Sequence, residues 1–148
     1  MGISQKCQYA LRAVFELAKR PNGVPTKTGQ IAEAQAIPPR FLELILGELK
    51  QGGFVESRRG MRGGYMLIGE PADLAVGRII RFVEGPLAPV ACVADTGGAD
   101  CPLHGTCAFL NLWRRARDAV AHVYDTTTFQ DLIDQHQAAK PYVPSYTI

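Results

Sequence analysis

The hydrophobic pattern of this chain changes period at Phe54, and that change limits the folds open to it. Upstream, apolar residues recur at helical spacing. Leu11, Val14, Phe15 and Ala18 fall at i, i+3, i+4 and i+7 behind Ser4 as a cap, and Pro21-Asn22-Gly23 stops the segment after Arg20. Thr28 can cap a short second helix carrying Ile31 and Ala32, which ends before Ile37-Pro38. Pro39 suits the first turn of a third helix, where a missing N–H costs nothing. Leu42, Ile45, Leu46 and Leu49 give that helix an apolar stripe, and Gly52-Gly53 ends it. Downstream, residues 54–58 and 64–68 read as two short strands around the glycine-rich turn Arg59-Gly60-Met61-Arg62-Gly63. Three helices followed by a hairpin predict a winged helix-turn-helix over residues 1–70.

Beyond it, the spacing predicts a fourth helix over 76–84, stopped by Gly85-Pro86. Residues 86–106 lack periodicity, and a loop of about twenty residues is unusual unless something organises it. A long amphipathic helix over 108–124 follows, with Phe109, Leu112, Trp113, Ala116, Val120 and Val123 on one face. Thr127 with Gln130 resembles a capping box for a last helix from Phe129 to about His136. The fold class expected is mainly α with a small β-hairpin wing. Residues 71–137 are expected to form a sensor loop with dimerisation helices, and 138–148 a mobile tail.

The 148 residues are 47% hydrophobic and 20% charged, enough apolar material for one core. No apolar run reaches the ~18 residues that cross a bilayer, so a cytoplasmic chain without a membrane partner is expected. Charge is unevenly spread. Residues 1–81 hold 12 Lys and Arg against 7 Asp and Glu, whereas residues 82–148 hold 4 against 7. A basic half joined to an acidic half points to one half meeting a polyanion. On a winged helix-turn-helix, the exposed side chains at the start of the third helix reach base edges; here these are Pro39, Arg40 and Glu43. Arg58, Arg59 and Arg62 on the wing can each meet phosphate through a forked contact. Double-stranded DNA is the expected partner.

Cys92, Cys101 and Cys107 lie within sixteen residues of one another, spaced Cys-x8-Cys-x5-Cys. In a cytosolic chain such clustering favours metal or redox chemistry over structural disulfides. Zinc sites usually use closer cysteine pairs, whereas an iron–sulfur cluster accepts wider spacing. Spacing therefore ranks an iron–sulfur cluster first, zinc second and a regulatory disulfide third. No spacing suggests a catalytic triad or a phosphate-binding glycine loop, so no enzyme is expected.

Gln8-Tyr9-Ala10-Leu11-Arg12-Ala13-Val14 resembles the opening of the Rrf-two family of bacterial winged helix-turn-helix regulators. The resemblance continues through Ile31-Ala32-Glu33, Ile37-Pro38, Phe41-Leu42-Glu43 and the wing from Ser57 to Tyr65. It extends through Ile79-Ile80, Glu84-Gly85, the three cysteines, and Phe109 with Trp113, covering residues 4–136. It implies a homodimeric transcription regulator, paired through the long helix, that binds a near-palindromic operator. A two-iron or four-iron sulfur cluster on Cys92, Cys101 and Cys107 would then control DNA affinity. The gap between the first two cysteines is wider than in the familiar cluster-binding members. Where some members place a carboxylate from the partner's first helix as fourth ligand, this chain has Gln8, and Leu110 stands where others have histidine. Cys7 of the partner subunit and His104 are the local substitutes, with an external or absent fourth ligand as the further alternative; Cys7, at i, i+4 and i+8 with Leu11 and Phe15, also suits a core position. The rival on the same fold is a cluster-free thiol sensor or protein–protein adaptor.

Overall fold

The computed structural model describes residues 2–95 and 100–139. In order they form α1 (Gln5–Lys19), α2 (Thr28–Gln35), α3 (Pro39–Gln51), β1 (Val55–Arg58), β2 (Gly64–Leu67), α4 (Val76–Glu84), α5 (Leu110–Thr126) and α6 (Phe129–Ala138). Short 3-10 turns occupy Pro71–Asp73 and Ala91–Val93. The expected winged helix-turn-helix is present, and all but the first two of the residues assigned to the tail lie outside the described residues.

Local signals explain most boundaries. The Ser4 hydroxyl accepts the Cys7 backbone N–H at 3.1 Å and starts α1. Pro39 opens α3, and Gly52 ends it. Two caps differ from expectation. Thr28 is the first helical residue of α2 and Lys27 occupies the cap, where its N–H donates to Gln30 Oε1 at 3.2 Å. At α6 the capping box is Thr128 with Asp131, one residue after the Thr127 and Gln130 expected. The Thr127 hydroxyl instead donates to the Val123 carbonyl at 2.7 Å, closing the end of α5. That step also moves α5 two residues later than its predicted span at each end.

One hydrophobic core takes residues from both sides of position 70. Val14 and Leu17 of α1, Ile31 of α2 and Leu42, Leu46 and Leu49 of α3 meet Ile79 and Ile80 of α4 and Phe129 and Ile133 of α6. The last described helix therefore returns to pack on the first, with His136 edge-on to Phe15 at 5.6 Å between centroids. Backbone bonds from Val76 to Thr127 (2.8 Å) and from Phe129 to Leu74 (3.0 Å) join the starts of α4 and α6.

The wing pairs Val55 with Leu67, Glu56 with Met66, Ser57 with Tyr65 and Arg58 with Gly64, antiparallel. Thr26, just before α2, exchanges two backbone bonds with Tyr65 at 2.9 and 2.8 Å, adding a third edge to the hairpin. Gly64, at φ +148°, makes this approach possible, because a Cβ there would run into the Thr26 carbonyl. From α3, Lys50 Nζ donates to Ser57 Oγ at 2.7 Å and fixes the hairpin relative to that helix.

Candidate nucleic-acid interface and cysteine loop

Helix α3 divides its residues cleanly. Leu42, Ile45, Leu46 and Leu49 are buried, and this leaves Pro39, Arg40 and Glu43 exposed on the opposite side. Arg58, Arg59 and Arg62 are exposed on the wing, with Met61 at its tip 92% exposed. The structure adds a residue that sequence reasoning missed. Lys27 and Gln30 of the α2 start face the three arginines across a cleft of about 630 Å3. Lys27 is distant from the wing in sequence, and the Thr26–Tyr65 bridge ties its backbone to the hairpin.

The cysteine loop leaves the end of α4 at Gly85. Cys92 is half-buried in the Ala91–Val93 turn, and Arg117 of α5 donates to the Val93 carbonyl at 2.8 Å, fastening the loop to that helix. Residues 101–107 form successive turns: the His104 N–H bonds to the Cys101 carbonyl and the Thr106 N–H to the Leu103 carbonyl, each at 2.9 Å. Cys101 and His104 are exposed and Cys107 is half-buried at the entry to α5. Among the described residues, no three of His, Cys, Asp and Glu come together as a metal site.

Cys7 is not brought to this loop within the chain. It is fully buried among Ala10, Val14 and their neighbours, and its thiol is pushed up to about 11 by burial, with the Glu84 carboxylate beside it adding to the effect. The helical spacing with Leu11 and Phe15 turns it inward. To act as a fourth ligand for a partner's loop it would have to leave the core.

Helix α5 buries none of its 17 residues in the isolated chain. Phe109, Leu112 and Val123 are 59%, 50% and 58% exposed, while Trp113, Ala116 and Val120 are half-buried. The Phe109 and Trp113 rings stack at 6.1 Å. On its other side α5 is held to α4 by the fork of Arg81 on Asp125. A run of large apolar side chains exposed along one helix marks an interaction surface. No helix among the described residues is long and apolar enough to cross a membrane.

Comparison with known proteins agrees with this architecture. Residues 3–135 match the Rrf2 family, described as an iron-dependent transcriptional regulator. The chain is 39% identical over 132 residues to the HTH-type transcriptional regulator CymR of Bacillus subtilis, covering 89% of each chain. It is 38% identical over 133 residues to the putative HTH-type transcriptional regulator Rv1287 of Mycobacterium tuberculosis, covering 89% of this chain and 81% of that one. Among solved structures, that of CymR, the global cysteine regulator of B. subtilis, superposes with a TM-score of 0.77 at 38% identity, covering 91% of this chain and 98% of that one. The IscR of T. potens gives 0.72 at 30% identity, covering 96% and 95%. A helix-turn-helix with a basic wing, matched along almost its whole length, leaves one assignment: the chain belongs to the Rrf2 family of winged helix-turn-helix, DNA-binding transcription regulators.

Proposed function

We propose that this regulator acts as a homodimer whose affinity for a near-palindromic operator is set by the chemical state of Cys92, Cys101 and Cys107. In this reading α5 pairs with its twin through Phe109, Leu112, Trp113, Ala116, Val120 and Val123. Pairing sets two α3 helices in successive major grooves, where Arg40 and Glu43 meet base edges beside Pro39. Arg58, Arg59 and Arg62 meet the backbone from the wing. The observation that carries the reading is the fastening of the three-cysteine loop to α5 through Arg117 and Val93, with two of its thiols half-buried and one exposed. A chemical change on that loop acts directly on the helix that spaces the two reading heads.

Two chemistries compete for the thiols. An iron–sulfur cluster has the family's iron-dependent description behind it. As placed, the cysteines do not fit one, since no three ligand groups converge among the described residues; the loop would have to close to hold it. The second reading, a metal-free thiol sensor, needs no such convergence. Purification without oxygen, with iron and sulfide counts and an absorbance spectrum, separates the two. Stoichiometric iron and sulfide, lost in Cys101→Ala, assign a cluster; a colourless protein whose DNA affinity follows a thiol oxidant assigns a thiol sensor. If a variant with all three cysteines replaced by serine responds to oxygen and oxidant as the wild type does, the loop is not the sensor.

A further inference from the structure

We propose that Glu84 is a positioning residue that joins the cysteine loop to the DNA-binding helices of its own chain, by supplying from α4 the acid that the start of α1 lacks. The inference rests on the reading of the loop as the sensor and deepens it. Besides its route through α5 to the dimer, the loop reaches the reading head of the same chain through α1.

The sequence of α1 leaves this contact to be filled from outside. In a capping box the third helical residue is a glutamate or glutamine whose side chain takes the N–H of the cap. Ser4 is the cap here, but the third helical position holds the buried Cys7, and the first turn of α1 has no acid. The Ser4 hydroxyl takes the Cys7 N–H at 3.1 Å, which is half of the box. The other half comes from Glu84, 80 positions away in sequence, whose Oε1 accepts the Ser4 N–H at 2.7 Å. Among the described residues, no other backbone group of α1 or its cap bonds to α4. The carboxylate stands at the positive end of the α1 dipole and beside the Cys7 thiol, so one side chain of α4 holds the first turn of α1.

Both ends of the contact lead further. Gly85 follows Glu84 directly and ends α4 at φ +86° and ψ −155°, a conformation open essentially to glycine alone. The loop therefore leaves α4 one residue from the carboxylate, and a change in its path turns the Glu84 backbone. On the other side, the start of α1 is tied to α3. Lys6 Nζ pairs with Glu48 at 2.7 Å, and the Tyr9 and Phe41 rings meet at 6.4 Å between centroids. Cys7 and Ala10 share a core with Leu42, Ile45 and Leu49, so a shift of the α1 start is felt by the reading helix. Glu84 and Ser4 are themselves exposed, and their bond can break without opening that core. Bond made and bond broken are two discrete arrangements that the state of the loop can bias.

The test uses the full chain, isolated without oxygen and again after hydrogen peroxide, with an operator that the protein selects from a random duplex pool. Oxidation is expected to change the operator affinity of the wild type by about tenfold or more, and Glu84→Ala to lose about five-fold of that ratio. Glu84→Gln, which keeps an acceptor for the Ser4 N–H, is expected to retain most of it. Hydrogen–deuterium exchange over residues 4–8 gives a readout that a merely structural cap would not move. Oxidation should change that exchange in the wild type and in Glu84→Gln, and leave it unchanged in Glu84→Ala. If oxidation changes affinity or exchange in Glu84→Ala as much as in the wild type, the loop acts through α5 alone and the proposal is overturned. If the affinity of the wild type does not follow oxidation, the sensor reading itself fails, and the role of Glu84 falls with it.

Discussion

Glu84, the last residue of α4, accepts the Ser4 backbone N–H on Oε1 at 2.7 Å, so a carboxylate closes the N-terminus of α1. The cysteine loop departs from the next residue, which places this contact between the loop and the DNA-binding helices. The hydroxyl and N–H of Ser4 hold the Glu84 carboxyl below the usual carboxylate range. Because its folded value is depressed, the stabilisation is present above the ordinary glutamate value of about 4.3 and fades as pH falls through the lower folded value. Glu84→Gln should cost about 1 kcal/mol or less, given its exposure, and should flatten the pH dependence of denaturant midpoints on the acid side. Equal pH profiles for variant and wild type would show that the contact contributes nothing to folding.

The approach of the wing to Thr26 is a backbone-to-backbone contact, so it cannot relax by a rotamer change. Gly64→Ala is expected to destabilise the fold by about 2 kcal/mol, from the clash with the Thr26 carbonyl and the unfavourable φ. Gly60, at φ +104°, faces open space, with nothing within 4 Å of where a Cβ would stand, so Gly60→Ala should cost only about 1 kcal/mol. Urea unfolding of both variants checks the ranking, and Gly64→Ala should also lose DNA affinity because the wing loses its register against Thr26.

Helix α2 ends on Ala36 at φ +51°, a left-handed residue without being glycine. The strain is held in place by the turn into α3, where the Ile37 N–H bonds to the Ala32 carbonyl at 3.0 Å. Ala36→Gly relieves a conformational cost of about 1 kcal/mol, partly offset by the greater freedom of glycine in the unfolded chain. A net gain of roughly a few tenths of a kcal/mol, read as a small rise in Tm, is expected.

The exposed face of α5 should be tested by charge. Val123→Asp, replacing a 58% exposed valine, should convert the dimer to monomer in sedimentation while leaving helical circular dichroism intact. Operator affinity should then fall by about an order of magnitude or more, since each head binds alone. A variant that stays dimeric would move the interface off this face.

The periodicity of residues 5–67 was enough to read three helices, a hairpin and the core stripe of α3, because each is written in local spacing and in proline and glycine stops. The exposed polar residues of α3 and the basic wing were legible for the same reason: once Leu42, Ile45 and Leu46 turn inward, Arg40 and Glu43 turn out. What depends on contacts between distant segments was not legible. Lys27 comes to the wing through tertiary contacts such as the Thr26–Tyr65 bridge, and Glu84 reaches Ser4 because α4 packs on α1. The burial of Cys7 likewise comes from packing, which closes the core around it within the chain. The cysteine loop marks the same boundary from the other side. Its three thiols are a fact of sequence, but the turns of residues 101–107 and the hold of Arg117 on Val93 are contacts that no periodicity encodes.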